Sequence, residues 1–182
     1  KALLALMLLQ ASRTPARVDA HGELITLEEQ DRASWDQAMR DEGLRMFGSS
    51  ATGTRLTAYH VEAAIAAIHA AAPSFDETDW PALVSHYDDL IALKPTPVVA
   101  LNRGVALAMA QGPAAGIAAL DDIAAHPSMR DYTPLAIALG ELHLRNGDRK
   151  RAAEFFTRAL DLPGTMAEKR FVLRKLRGAV SS

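Results

Sequence analysis

Apolar residues recur along this chain at spacings of three and four, the period of amphipathic helices, with few stretches of strict alternation. The first run, Ala2-Leu3-Leu4-Ala5-Leu6-Met7-Leu8-Leu9, predicts a buried helix over 1–13, stopped at Thr14-Pro15 because proline restricts the residue before it. Turn residues between β-formers over 18–27 predict a short hairpin or an extended loop. A helix is expected from Asp31 to Phe47, with Trp35, Met39, Leu44 and Phe47 as its apolar stripe, followed by a Ser/Gly/Thr loop over 48–54. Helices are then predicted over 57–72, 80–94, 96–110, 114–125, 134–146, 148–162 and 165–180. Asp79 is read as the N-cap of the second, ahead of Trp80-Pro81, and Thr96 as the cap of the third. In the last helix Val172, Leu173, Leu176 and Val180 are expected to face inward.

The later helices repeat. Tyr87, Leu120 and Phe156 occupy one second-helix position at spacings of 33 and 36, while Gly104 and Gly140 occupy one first-helix position. Within 139–163 the order is a small residue at Gly140, a turn at Gly147, Ala152, Phe156, Ala159 and a closing proline. These offsets are similar to those of a tetratricopeptide unit, a helical hairpin of about 34 residues. Gly140 and Ala152 allow close approach of two helices, and Gly147 permits the positive φ of a helix end. The fold expected is therefore all-α, a right-handed stack of about three helical hairpins. An N-terminal helical cap over 1–55 precedes repeats over 56–182, the two expected to form one continuous domain, with one short β-hairpin admitted near residue 20.

Composition agrees with helices. Of 182 residues, 49% are hydrophobic and only 5% aromatic, which suits close-packed helices better than a sheet. No cysteine occurs, so disulfides, thiolate metal sites and a cysteine nucleophile are excluded, and a cytoplasmic setting fits. The first apolar run is too short to span a membrane, and no small-x-small cleavage site follows it. A start at Lys1 rather than Met is expected of a fragment.

Charge is unevenly spread. Residues 1–142 carry 10 basic and 18 acidic side chains, and residues 143–182 carry 10 and 4. The basic tail of Lys169, Arg170, Arg174, Lys175 and Arg177 reads as a solvated helix face, with electrostatic contact to nucleic acid as the sharper alternative. No glycine-rich phosphate loop, paired-histidine zinc helix or nucleophile elbow is found, so neither a catalytic site, a metal site nor a cofactor is expected.

Two polar stretches stand out. In Leu27–Asp36, carboxylates crowd a helix start, and Asp31, Arg32 and Asp36 are expected to form a structural network with Gln30 and Trp35. Asp79 and Trp80 would shape the same domain, and an exposed second docking surface is the alternative. In Thr96–Gly104, Asn102 and Arg103 interrupt an apolar helix start. Asn102 is expected either to face a concave groove, with Arg103 beside it and Tyr87 packed behind, or to satisfy a neighbouring loop.

Six segments in order, 2–9, 27–36, 63–70, 78–80, 97–104 and 112–113, together resemble the C-terminal tetratricopeptide-type extension of a subgroup of extracytoplasmic-function RNA polymerase sigma factors. The resemblance implies an accessory domain of a bacterial transcription initiation factor. Its promoter-reading domains, which bind DNA, would lie N-terminal to it. Expected partners are those domains, core RNA polymerase, a regulator protein or a second copy of the chain; a membrane is not among them. A dimerising or sensory helical module and a nucleic-acid-binding module are the alternatives.

Overall fold

A computed structural model describes residues 1–50 and 56–181. The described chain is all-α, as the periodicity predicts, and divides into two compact units, Lys1–Pro95 and Thr96–Ser182. Helices α3 and α4, which the sequence pattern grouped with the repeats, belong to the first unit. Much of the loop expected over 48–54 falls on residues 51–55, outside the described residues.

The first unit holds α1 (Ala2–Ser12), α2 (Gln37–Gly48), α3 (Ala58–Ala71) and α4 (Trp80–Leu93). α1 packs on α2 and α3, and α3 on α4. Alanine lets α3 be surrounded closely: Ala63, Ala64, Ala66, Ala67 and Ala70 are all buried. Leu9, Ala16 and Trp35 join this core. On α2, a Cβ at Gly43 would lie 2.8 Å from Leu9 Cγ, so the α1–α2 contact requires glycine.

The connection between α1 and α2 departs from expectation. The hairpin near residue 20 shrinks to one antiparallel bridge between Val18 and Leu24. The helix predicted from Asp31 is two elements, a 3-10 turn at Arg32–Ser34 and then α2. Asp31 and Asp36 explain the break. Each holds an extended backbone and caps its own element, Asp31 accepting from the Ala33 N–H of the turn and Asp36 from the Met39 N–H of α2. Trp35 consequently lies outside α2, buried in the core, and Met39 is exposed rather than part of a stripe.

The second unit holds α5 (Pro97–Gln111), α6 (Pro113–Ala124), α7 (Thr133–Arg145), α8 (Arg149–Asp161) and α9 (Met166–Val180), each packed on the next. Two hairpins repeat one device. A Cβ at Gly104 on α5 would meet Leu120 Cδ2 of α6 at 2.5 Å; at Gly140 on α7 it would meet Phe156 Cε1 of α8 at 2.6 Å. Leu120 and Phe156 are fully buried. Gly147 takes φ +80 at the end of α7, the conformation its turn requires. Proline opens α5 and α6, and Asp148 and Thr165 cap α8 and α9.

In α9 the inward face is rotated from the one predicted. Phe171, Val172 and Ala179 are buried, while Leu173 and Val180 are exposed. The inward row runs 171, 175, 179, with Lys175 half-buried in it: its ammonium lies 5.3 Å from the Phe171 ring centre and 3.2 Å from Glu141 Oε2. A hydrophobic pattern assigns no lysine to the inside.

Candidate functional site

Trp35 gathers the most unusual chemistry of the first unit. It comes after the 3-10 turn in an extended conformation, which swings the indole into the core formed by α1 and α3. The Arg32 guanidinium lies over its ring at 4.5 Å and that of Arg13, from the end of α1, at 5.3 Å. Arg32 Nη1 donates to the His69 carbonyl near the end of α3. Arg13 Nε donates to Gln30 Oε1 at 3.4 Å, and Gln30 Nε2 donates to the Ile25 carbonyl. The His69 ring meets Trp80 edge-on at 5.6 Å, and Trp80 meets Phe75 at 4.9 Å.

Electrostatics at this cluster is dominated by desolvated positive charge. Burial, with the charges of Arg17 and Arg32, lowers the pKa of Arg13 to about 10. Burial also lowers that of Arg32. Burial, then the charges of Arg13 and Arg32, lowers that of His69 to about 4, so the imidazole is neutral at pH 7. Among the described residues, four buried polar atoms here have no hydrogen-bond partner: Arg32 Nε and Nη2, Trp35 Nε1 and His69 Nδ1. Such atoms are rare in folded proteins, and each is a reason to ask what it binds.

The structure thus brings together Gln30, Arg32, Trp35 and Trp80 from the sequence-predicted set, through Arg13 and His69. It does not bring Asp31 and Asp36 to Arg32, because both carboxylates are occupied as caps. Asp79 caps α4 by accepting from the Ala82 N–H. Sequence reasoning missed Arg13, whose only signal was its place at the end of an apolar helix. His69, on a helix that reads as apolar, is likewise absent from the predicted set.

The second candidate region lies on α5. Asn102 is exposed, and Arg103, next along the helix, is half-buried and engaged. Leu101 and Gly104 face the opposite way, into the core. Tyr87 is half-buried on α4 of the first unit, with its hydroxyl pushed up to about 12 by burial. In the basic tail, Arg170 and Arg177 are exposed and Arg174 lies 5.5 Å from the Phe171 ring. Lys169 is half-buried, and Lys175 is taken up by Glu141.

The second unit holds a small cavity of about 130 Å³ beside Tyr132, Leu135, Leu139, Phe155 and Arg158. This is well below the several hundred Å³ of ordinary small-molecule sites. A recess of about 370 Å³ in the first unit is lined by residues including Lys1, Ser50, Tyr59 and His60. Among the described residues no three His, Cys, Asp or Glu side chains converge to hold a metal, and no helix is long and apolar enough to cross a membrane.

Residues 1–51 match a family described only as a family of unknown function (DUF6596). The stretch includes Arg13, Gln30, Arg32 and Trp35. The chain is also 37% identical over 174 residues to the uncharacterized protein R00370 of Rhizobium meliloti (strain 1021). That match covers 96% of this chain and 41% of the relative. No solved structure matches.

Proposed function

We propose that this chain is a C-terminal accessory domain of a bacterial extracytoplasmic-function sigma factor, acting in the cytoplasm to regulate transcription initiation. Its role is protein binding rather than catalysis. The observation that carries the reading is Asn102. It is an exposed amide with donors and an acceptor, on the first helix of a hairpin whose other side is locked by Gly104 against Leu120. Such a helix is a rigid platform on which a polar side chain can grip a peptide backbone or a terminal carboxylate. The helical hairpins and the six ordered segments that resemble the sigma-factor extension support the same reading. The partners it calls for are core RNA polymerase, the N-terminal sigma domains of the same polypeptide or a regulator protein.

The test is in vitro transcription with core polymerase, comparing the full-length factor, a version stopped before Lys1, and Asn102→Ala combined with Arg103→Ala. Core binding is recorded in parallel. The expected result is loss of transcription on truncation, together with weakened partner binding by a folded double variant. Normal transcription by the truncated factor would remove the domain from initiation.

A further inference from the structure

The outer face of α9 carries apolar and basic side chains in two parallel rows. Met166, Leu173 and Val180 stand seven residues apart and are 68%, 40% and 65% exposed. Seven residues are close to two helical turns, so the three lie on one line along the helix. Exposed Arg170 and Arg177 each follow an apolar residue of that line by four positions, which sets them beside it. Exposed Arg174 widens the basic row. Apolar residues scattered singly over a surface are ordinary, but three in line form a stripe.

Neither row is used within the second unit. The buried residues of α9 are Phe171, Val172 and Ala179, and the helix it packs on is α8. Its one carboxylate, Glu168, accepts from the Thr165 N–H and hydroxyl. Arg170 and Arg177 make no ion pair among the described residues. Both ends of the helix are fixed, the first by the Thr165–Glu168 capping box. At the other end the Arg149 guanidinium donates to the Gly178 and Ala179 carbonyls. The face is therefore rigid before anything binds to it, which lowers the entropic cost of docking.

We propose that this face docks an acidic amphipathic helix of a protein partner, about four turns long to match the 15 residues of α9. Its apolar residues meet Met166, Leu173 and Val180, and its carboxylates meet the three arginines. Charge selects this occupant: residues 143–182 carry 10 basic and 4 acidic side chains, a field that steers acidic surfaces toward it. A second copy suits the face less. Three partly exposed side chains fall short of the roughly 800 Å² per partner of a stable dimer, and like rows of arginine would meet. Nucleic acid suits it less because the one aromatic ring of α9, Phe171, is buried and offers bases nothing to stack on. The site lies on α9, apart from Asn102 on α5, and stands whether or not the chain acts in transcription.

The experiment measures the anisotropy of a fluorescent synthetic helix titrated with the 182-residue chain. The peptide carries leucine every seven residues, glutamate four positions after each leucine, and alanine and glutamine elsewhere. A scrambled peptide has the same composition. Saturable binding is expected with a Kd below about 1 mM, at least tenfold tighter than for the scrambled peptide and weakening as salt rises. Arg170→Gln combined with Arg177→Gln should weaken it about fivefold, and Leu173→Gln severalfold. Circular dichroism checks that both variants fold. If either does not, the scrambled peptide and the salt series on the unaltered chain decide.

The proposal is overturned if binding does not saturate, if the scrambled peptide binds equally well, or if the folded variants bind as tightly as the unaltered chain. Tighter binding of a single-stranded oligonucleotide, or of phosphatidylserine vesicles, lost with the same arginines, would also overturn it and give the face to that ligand. So would self-association in sedimentation that Leu173→Gln abolishes, which would give the face to a second copy.

Discussion

The two units of this protein are held together by different physics. In the second, helices meet through shape: Gly104 receives Leu120, Gly140 receives Phe156, and the buried residues are almost all apolar. In the first, alanines pack α3 closely, but the connection from α1 to α2 is fastened by a polar cluster of Arg13, Gln30, Arg32 and Trp35. Apolar packing is insensitive to pH, whereas a desolvated titratable group ties stability to it. The comparison teaches that the second unit is held by shape, and that the first also depends on the protonation state of buried groups.

The sharpest way to break this comparison is to damage the scaffold itself. Phe156→Ala deletes a fully buried ring and should cost about 3–5 kcal/mol, read as a lower midpoint of chemical unfolding. A loss below about 1 kcal/mol would mean that shape does not hold the α7–α8 hairpin.

A second effect belongs only to the polar unit. His69 titrates near 4 when folded and near its ordinary 6.5 when unfolded. The unfolded chain therefore binds the extra proton first as pH falls. Its contribution to stability is complete above about pH 6.5 and is lost progressively toward pH 4, by up to roughly 3 kcal/mol. His69→Gln should flatten the stability–pH curve in that window. An unchanged slope would place the acid sensitivity elsewhere.

The third test compares the two hairpins with each other. At Gly140 an added methyl would meet three atoms of the rigid Phe156 ring within 3.0 Å, whereas at Gly104 only one atom lies that close, the terminal Cδ2 methyl of Leu120. Gly140→Ala should therefore destabilise by about 1–2 kcal/mol, and Gly104→Ala should be nearly neutral, its clash offset by better helix propensity. Equal thermal midpoints for the two variants would refute that distinction. A comparable loss of about 1 kcal/mol in chemical unfolding is expected from Asp79→Ala, which removes the N-cap of α4.

Most of the second unit is legible in the order of its residues. Gly140, Gly147, Ala152 and Phe156 stand at spacings that only a tight hairpin explains, and Thr96, Pro97, Asp148 and Thr165 mark helix starts by local chemistry. The inward face of α9 is not legible in the same way, because Phe171 and Lys175, not Leu173, make the inward row, and periodicity assigns no lysine to a core. Asp31 and Asp36 are legible as acidic residues at a helix start. Their rival uses, as caps or as partners of Arg32, differ only in where the backbone goes.

What the amino-acid order determined alone is the local part: helix positions, caps, the glycine turn and the repeated small-residue contacts. These depend on neighbours within one or two turns, or on a period that the chain displays openly. Only the tertiary structure decided that Arg13, Arg32, Trp35 and His69 meet, because they come from the end of α1, the connection and α3. It also decided that the paired edge of Arg32 is buried without an acceptor. Local propensity carries no information about either, since a guanidinium on a surface and one sealed over an indole are written with the same residue.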